Sequence, residues 1–219
     1  MNYYSEKDIR DIVANVLAQS APPAKDSAGQ QVPVEVSARH VHLTPEAVES
    51  LFGKGYQLTK KRDLSQPGEF LTGERVKVVT RKGTIDNVAV LGPVRKAVQV
   101  ELSMTDARSL GIKAPVRLSG DLRGAADVLL LGPAGMVDAK GSAIVAMAHV
   151  HMTPADARAY GVKDGETVAV RLETVRPVTV EGVQVRVKDN FSLAVHIDFD
   201  EANAAVADGD TRGYLIKGR

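Results

Sequence analysis

Three features of the chain predict a mainly β fold of barrels with a few short helices. Short β-rich segments run from Val32 onward, tight turn signals join several of them, and one strand, cap, helix and stop unit recurs three times. The clearest strand candidates are residues 76–80, 87–91, 98–102, 167–172, 178–187 and 192–199. Turn signals at Arg81-Lys82-Gly83, Lys163-Asp164-Gly165 and Glu181-Gly182 favour antiparallel hairpins and closed β architecture over βαβ units.

The 219 residues amount to about one and a half ordinary domains, so one large β domain or two small interleaved ones both fit. Hydrophobic residues make up 44% and charged residues 25% of the chain, the balance of a soluble globule, and no apolar run reaches a membrane span. With 28 basic against 27 acidic side chains the net charge is +1. Neither nucleic acid nor a membrane is an expected partner of so neutral a chain. No cysteine is present, which removes disulfides, thiolate metal sites and a cysteine nucleophile together. No basic-then-apolar leader opens the sequence, so a cytoplasmic location is expected.

Near the N-terminus, Ser5 and Asp8 form a capping pair, and Ile9, Ile12, Val13, Val16 and Leu17 make one apolar stripe at helical spacing. An amphipathic helix is expected within residues 1–20. Residues 21–31 hold prolines, glycine, glutamines and charges, the composition of a linker. The stripe either docks on its own domain or binds a partner in a groove.

The recurring unit reads His40-Val-His42-Leu-Thr44-Pro45, then Gln99-Val-Glu101-Leu-Ser103, then His149-Val-His151-Met-Thr153-Pro154, with stops at Gly53, Gly111 and Gly161. Thr44, Ser103 and Thr153 are N-cap residue types, and Pro45 and Pro154 suit the first helical position. In register, Glu101 falls where His42 and His151 fall. On a helix, residues two apart point in nearly opposite directions; on a strand they share a face. The His-x-His pairs therefore belong on strands, where Val32, Val34, Val36 and Ala38 are expected to continue into the first pair, and Val145 and Met147 into the second, each as one apolar face. His196 shares a strand face with Asp198 and is a third ligand candidate.

His40, His42, Glu101, His149, His151 and His196 together make six nitrogen and oxygen ligands suited to zinc, although iron, cobalt and nickel accept the same set. Two closed tetrahedral sites need eight, so two ions would each keep an open position, as catalytic metals do. Each ligand strand leads into a helix N-terminus, so three such termini are expected near the metals, with an anion facing them. Arg95, after the Gly92-Pro93 turn, is a candidate clamp for a phosphate or an oxyanion.

Five separated motifs, Ser37-Ala-Arg39-His40-Val-His42-Leu-Thr44, Asp63-Leu-Ser65-Gln66-Pro67-Gly68, Leu91-Gly92-Pro93-Val94-Arg95, Ala148-His149-Val-His151-Met-Thr153-Pro154 and His196-Ile-Asp198, resemble the phosphate propanoyltransferase family, the PduL-type phosphotransacylases. The resemblance spans residues 32–217. It implies two small β-barrels with short capping helices, one built from residues 32–38 plus 145–217 and the other from 39–120. It also implies acyl transfer between coenzyme A and inorganic phosphate (propanoyl-CoA and phosphate giving propanoyl phosphate and CoA) at a two-zinc site. By the family pattern, His40, His42 and Glu101 match the ligands of one zinc and His149, His151 and His196 those of the other. Arg95 matches the active-site arginine, and Ser37, Arg62 and Asn203 fall where members line the coenzyme A channel. The family's N-terminal helix and linker direct it into the lumen of a bacterial microcompartment used in propanediol degradation, so shell or cargo proteins are expected partners; a homodimer is the assembly considered. Two alternatives stand beside this reading: a dinuclear zinc hydrolase of esters or phosphoesters, and a metal-stabilised compartment protein without catalysis.

Overall fold

The computed structural model describes residues 31–217; the expected helix over 1–20, and all of the expected linker except Gln31, lie outside them. In chain order come β1 (Gln31–Ser37), β2 (His40–His42), α1 (Pro45–Phe52), β3 (Lys60–Asp63), β4 (Phe70–Val79), β5 (Thr84–Gly92), β6 (Gln99–Leu102) and α2 (Met104–Ser109). Then follow β7 (Val116–Arg117), β8 (Ala126–Leu131), β9 (Met136–Ala146), β10 (His149–Met152), α3 (Pro154–Tyr160), β11 (Thr167–Glu173), β12 (Val178–Val187), β13 (Ala194–Asp198), α4 (Phe199–Ala205) and β14 (Arg212–Lys217). No described helix is long and apolar enough to cross a membrane.

Strand pairing closes two six-stranded barrels whose ring strands are paired on both sides, with β3 and β7 added outside the second ring beside β4 and β9. One runs β1-β13-β10-β12-β11-β14 and back to β1. The other runs β4-β5-β2-β6-β9-β8 and closes where β8 pairs with β4. The two circuits match strand for strand. The pairs β2/β5 and β6/β9 are parallel, as are β10/β12 and β13/β1; the remaining pairs in each ring are antiparallel. Parallel neighbours are more numerous than the hairpin turn signals alone suggest.

The duplication is exchanged. β1 belongs to the first barrel, but after Ala38-Arg39 the chain enters the second as β2; β9 belongs to the second, but after Met147-Ala148 the chain enters the first as β10. The second barrel thus runs on to Ala146, past the expected limit near residue 120. β9 reads MVDAKGSAIVA, whose Ala and Gly content gives little strand signal by itself. Glu181-Gly182, expected as a turn, lies within β12 as a bulge. Gly182 has φ +75° and the β11 to β12 register shifts between Val168 and Val170, so glycine supplies the backbone conformation the bulge needs.

Each barrel has its own apolar filling. Val41, Leu43, Val76, Val78, Val100 and Leu130 are buried in the second, and Val34, Val150, Met152, Val170, Leu172 and Val195 in the first. The helices begin where their caps place them. Thr44, Ser103, Thr153 and Asp198 each accept a hydrogen bond from a backbone N–H of the first turn. Asp198 opens a fourth copy of the repeated unit, in which His196 stands two residues before the cap, as His42, Glu101 and His151 do. Its cap is Asp in place of Ser or Thr, it lacks the proline, and it ends on Val206 at φ 56° in place of a glycine, so pattern matching passes over it.

At α4, Asp198 N donates to Glu201 Oε2 and Glu201 N to Asp198 Oδ1, both at 2.9 Å. Burial pushes the Glu201 carboxyl up to about 7, against the pull of the Asp198 hydrogen bond and with the Asp198 and Asp200 charges adding to the rise. A carboxyl raised on folding takes up a proton between its ordinary value of 4.5 and about 7, so stability declines as pH rises through that window. Glu201→Gln keeps the capping acceptor and removes the charge. Its expected effect is a melting temperature raised by about 2–4 °C at pH 8 and unchanged at pH 4. Melting curves at both pH values check this, and an equal shift at both would assign the effect to packing.

Candidate active site

The His-x-His strands cross the gap between the barrels. Val41 and Leu43 point into the second barrel and Val150 and Met152 into the first, so by alternation their histidines point the other way, out of the barrel that holds them. The expected continuous apolar face is therefore interrupted: the chain changes barrels at Ala38-Arg39 and Met147-Ala148. His40, His42, His149 and His151 are nonetheless 2–8% exposed, because all four line one cavity of about 810 Å³ between the barrels, together with Glu101, His196 and Arg95.

The two half-sites are built alike. His40 lies directly across from Glu101 on the antiparallel β2/β6 pair, and His149 directly across from His196 on β10/β13. The crossing segments orient the first histidine of each: Ala38 O accepts from His40 Nδ1 at 2.7 Å and Met147 O from His149 Nδ1 at 2.8 Å. That contact sets Nδ1 as the donor and turns Nε2 into the cavity, the orientation of a metal-ligating imidazole.

Glu101 Oε1 lies 3.6 Å from His40 Nε2 and 3.9 Å from His42 Nε2. Among the described residues, His40, His42 and Glu101 form the group whose ligand atoms all lie within 4.8 Å of one another, and all three are buried. In the other half-site the rings gather as closely, with His149 to His196 at 5.1 Å, His149 to His151 at 4.7 Å and His151 to His196 at 4.8 Å between centroids. Their nitrogens do not converge to the same distance.

The electrostatics separate the members. Burial lowers His42 and His151 far below the ordinary imidazole range, joined by the neighbouring His40 at the first and His149 at the second. Burial, aided by His149, holds His196 at about 3. His40 is the exception, because burial would lower it but the charge and hydrogen bond of Glu101 outweigh that and raise it. Glu101 is held low in return: burial would raise it, and His40 overrides burial. Neutral buried imidazoles with His42 Nδ1, His151 Nδ1 and His196 Nε2 lacking any hydrogen-bond partner are rare in a packed interior. Together with a buried carboxylate they are the donor set zinc takes, so the residues fit the metal.

Arg95 projects into the same space from the loop after β5. Its Nη2 donates to Glu69 Oε1 at 2.8 Å and its Nη1 to Ser119 Oγ at 3.0 Å. Gln99 Nε2 in turn donates to Ser119 Oγ at 2.9 Å and to Glu101 Oε1, while its Oε1 accepts from Gly120 N at 2.8 Å. A continuous hydrogen-bonded chain thus joins Arg95 to the carboxylate of the first half-site. The Gln66 loop ties the barrels together across the cavity through two bonds with the Ser192 backbone, at 2.9 and 3.2 Å.

Ser37 and Arg62 line the cavity; Asn203 does not, standing exposed on α4 with its carbonyl accepting from Arg176. The expected ring of helix N-termini is also absent from the lining. Of the residues that open the four helices only Phe199 borders the cavity, since each strand carries the chain past the site before its helix starts, and the first-turn N–H groups meet their own caps. Sequence reasoning missed Gln99 as a partner of Glu101, although it stands in the His40 and His149 position of the repeat. It also missed Ser119, Phe191 and Arg186. In 178–187 Arg186 alternates with Val185 and Val187 beside Gln184 and Lys188, a pattern that any solvated strand face shows.

Two barrels bring paired imidazole sets, a buried carboxylate and an arginine to a shared cavity, the side chains that a group-transfer enzyme uses. The family model for phosphate propanoyltransferase matches residues 33–208, and the chain belongs to that family, whose members are phosphate acyltransferases. The chain is 46% identical over 217 residues to the phosphate propanoyltransferase of Alkaliphilus metalliredigens, covering 97% of this chain and 99% of that one. It is 50% identical to that of Priestia megaterium over 94% of this chain and 95% of the relative, and 53% identical to that of Leptotrichia buccalis over 84% and 87%.

Proposed function

We propose that the chain moves a short acyl group between coenzyme A and inorganic phosphate, propanoyl-CoA and phosphate giving propanoyl phosphate and CoA, at a two-zinc site in the inter-barrel cavity. The observation that carries this reading is the pairing of two equivalent half-sites across one cavity with Arg95 on its wall. His40, His42 and Glu101 would hold one ion and His149, His151 and His196 the other. When bound, the ions supply Lewis-acid stabilisation of a sulfur leaving group and of developing oxygen charge.

Direct attack by phosphate is favoured over an acyl-enzyme. The chain has no cysteine, and two of the cavity serines are otherwise engaged: Ser65 donates to Glu35, and Ser119 accepts from Arg95 and Gln99. No serine is paired with a histidine base among the described residues. A phosphate oxygen then forms the new C–O bond, the C–S bond breaks, and the proton of the attacking hydrogen phosphate ends on the departing CoA sulfur. Arg95 neutralises the oxyanion that appears at the carbonyl, and Gln99 and Ser119 keep it in register with Glu101. Ser37 and Arg62, on the cavity wall, are the proposed coenzyme A contacts; Asn203, off the lining, is left out of them.

Free-thiol release from acetyl-, propanoyl- and butanoyl-CoA, with and without phosphate, tests the reading when metal content is determined on the same sample. Acyl phosphate formed only in the presence of phosphate, with about two zinc ions per chain, is the expected result. Thiol release independent of phosphate would assign the hydrolase instead.

The apolar stripe of residues 9–17 and the linker after it support a second role, in which residues 1–20 bind shell or cargo proteins of a microcompartment. Deleting 1–20 is expected to leave phosphate-dependent activity within about twofold of the full chain, since residues 33–208 carry the family match, and to abolish co-sedimentation with assembled shells. Loss of activity on deletion would show that the segment docks on its own barrels.

A further inference from the structure

Arg95 is committed within the protein, through Glu69 and Ser119. Across the cavity stands an arginine that is not. Arg186, half-buried on β12, lies beside His151 in the parallel β10/β12 register and lines the same cavity. Among the described residues its guanidinium has no hydrogen bond and no carboxylate partner. Its Cζ lies 5.8 Å from the Phe191 ring centroid, and Phe191 in turn lies 4.2 Å from His151 between centroids.

A guanidinium taken half out of water and paired directly with no carboxylate, with Glu101, Glu69 and Asp164 acting on it only through their charge, is unfavourable unless an anion meets it. The fork of N–H donors suits a tetrahedral oxyanion held by two oxygens. We infer that Arg186 is a phosphate-binding residue of the acyl transfer, gripping inorganic phosphate, or the phosphoryl end of the acyl phosphate, from the barrel opposite Arg95. The inference rests on the reaction proposed above and adds to it a second cationic contact, supplied by the other half of the duplication. Phosphates of coenzyme A offer the same chemistry. The position of Arg186 next to His151, on the strand that flanks the ligand-bearing β10, favours the reacting phosphate over them.

The test uses the full chain with its metals, varying phosphate at saturating propanoyl-CoA and propanoyl-CoA at saturating phosphate, for the wild type, Arg186→Gln and Arg186→Lys. The KM for phosphate is expected to rise about tenfold to a hundredfold in Arg186→Gln, the scale of a lost charge-assisted hydrogen-bonded contact. A smaller rise is expected in Arg186→Lys, which keeps the charge and loses the fork. The KM for propanoyl-CoA and the metal content should stay near wild type, and metal content together with circular dichroism reports folding independently. A rise confined to the propanoyl-CoA KM would give Arg186 to coenzyme A and overturn the inference, as would unchanged KM values for both substrates. A wild type that releases thiol without phosphate would overturn the underlying reaction itself, a result distinguishable from failure of the arginine's role alone.

Discussion

On the two-zinc reading proposed above, Glu101→Gln is expected to lower phosphate-dependent turnover by about a thousandfold or more and to reduce bound metal from two equivalents towards one. Glu101 is the one carboxylate in the two ligand sets, it is 5% exposed, and its oxygen lies within 4 Å of both His40 Nε2 and His42 Nε2. Glutamine has almost the same shape and keeps an acceptor oxygen, but it cannot neutralise a dication. A loss of about 4 kcal/mol of electrostatic stabilisation is a factor of about a thousand in rate. The substitution also removes the charge that raises His40, so His40 should fall to the low, buried range of its neighbours, and the acid limb of metal binding should move to lower pH. Metal content by elemental analysis, measured beside the rate, separates this from misfolding. Full activity with one equivalent of metal would remove the first half-site from the mechanism.

The second large effect is expected at Arg95. Arg95→Ala should cut turnover by about a hundredfold to a thousandfold, the loss that accompanies removal of one preorganised oxyanion donor, while the metal content stays at its wild-type level. Its partners explain why metal should persist. Arg95 reaches Glu101 through Ser119 and Gln99, and Gln99 keeps its bond to the Gly120 backbone without the arginine. Glu69 loses its counter-charge, but Glu69 is a third exposed at its side chain and can be solvated, so the fold should tolerate the change. Arg95→Lys should recover only part of the rate, because an ammonium replaces the planar fork with a single point of charge. An Arg95→Ala enzyme with unaltered turnover would leave the oxyanion to other groups.

Much of the site was legible because its signals are local. Two histidines at spacing two, a cap residue two positions later and a proline after it can be read anywhere in a chain, and they placed His40, His42, His149 and His151 on strands and Thr44 and Thr153 at helix starts. Register among the copies then reached Glu101, and alternation within 192–199 reached His196. Arg186 was not legible as a site residue, since a polar residue on an alternating strand looks the same whether it faces water or an enclosed cavity; Gln99 carried a signal only through its repeat position in register with His40 and His149. The fourth copy of the repeated unit was hidden by an Asp cap and a Val stop, which meet the same backbone requirements with different side chains.

The amino-acid sequence by itself determined the ligand types, their spacing, the helix caps and the mainly β character, all of which depend on interactions within about ten residues along the chain. Only the tertiary structure decided that β1 and β9 are exchanged between barrels, that His40 stands across from Glu101 and His149 from His196, and that every one of these side chains faces a shared cavity and not a barrel interior. The reason is physical. Which of two apolar faces turns inward at a strand is settled by which barrel closes around it, and closure pairs residues as far apart as Val34 and Val195, a choice made by the burial of whole cores and not by any local pattern.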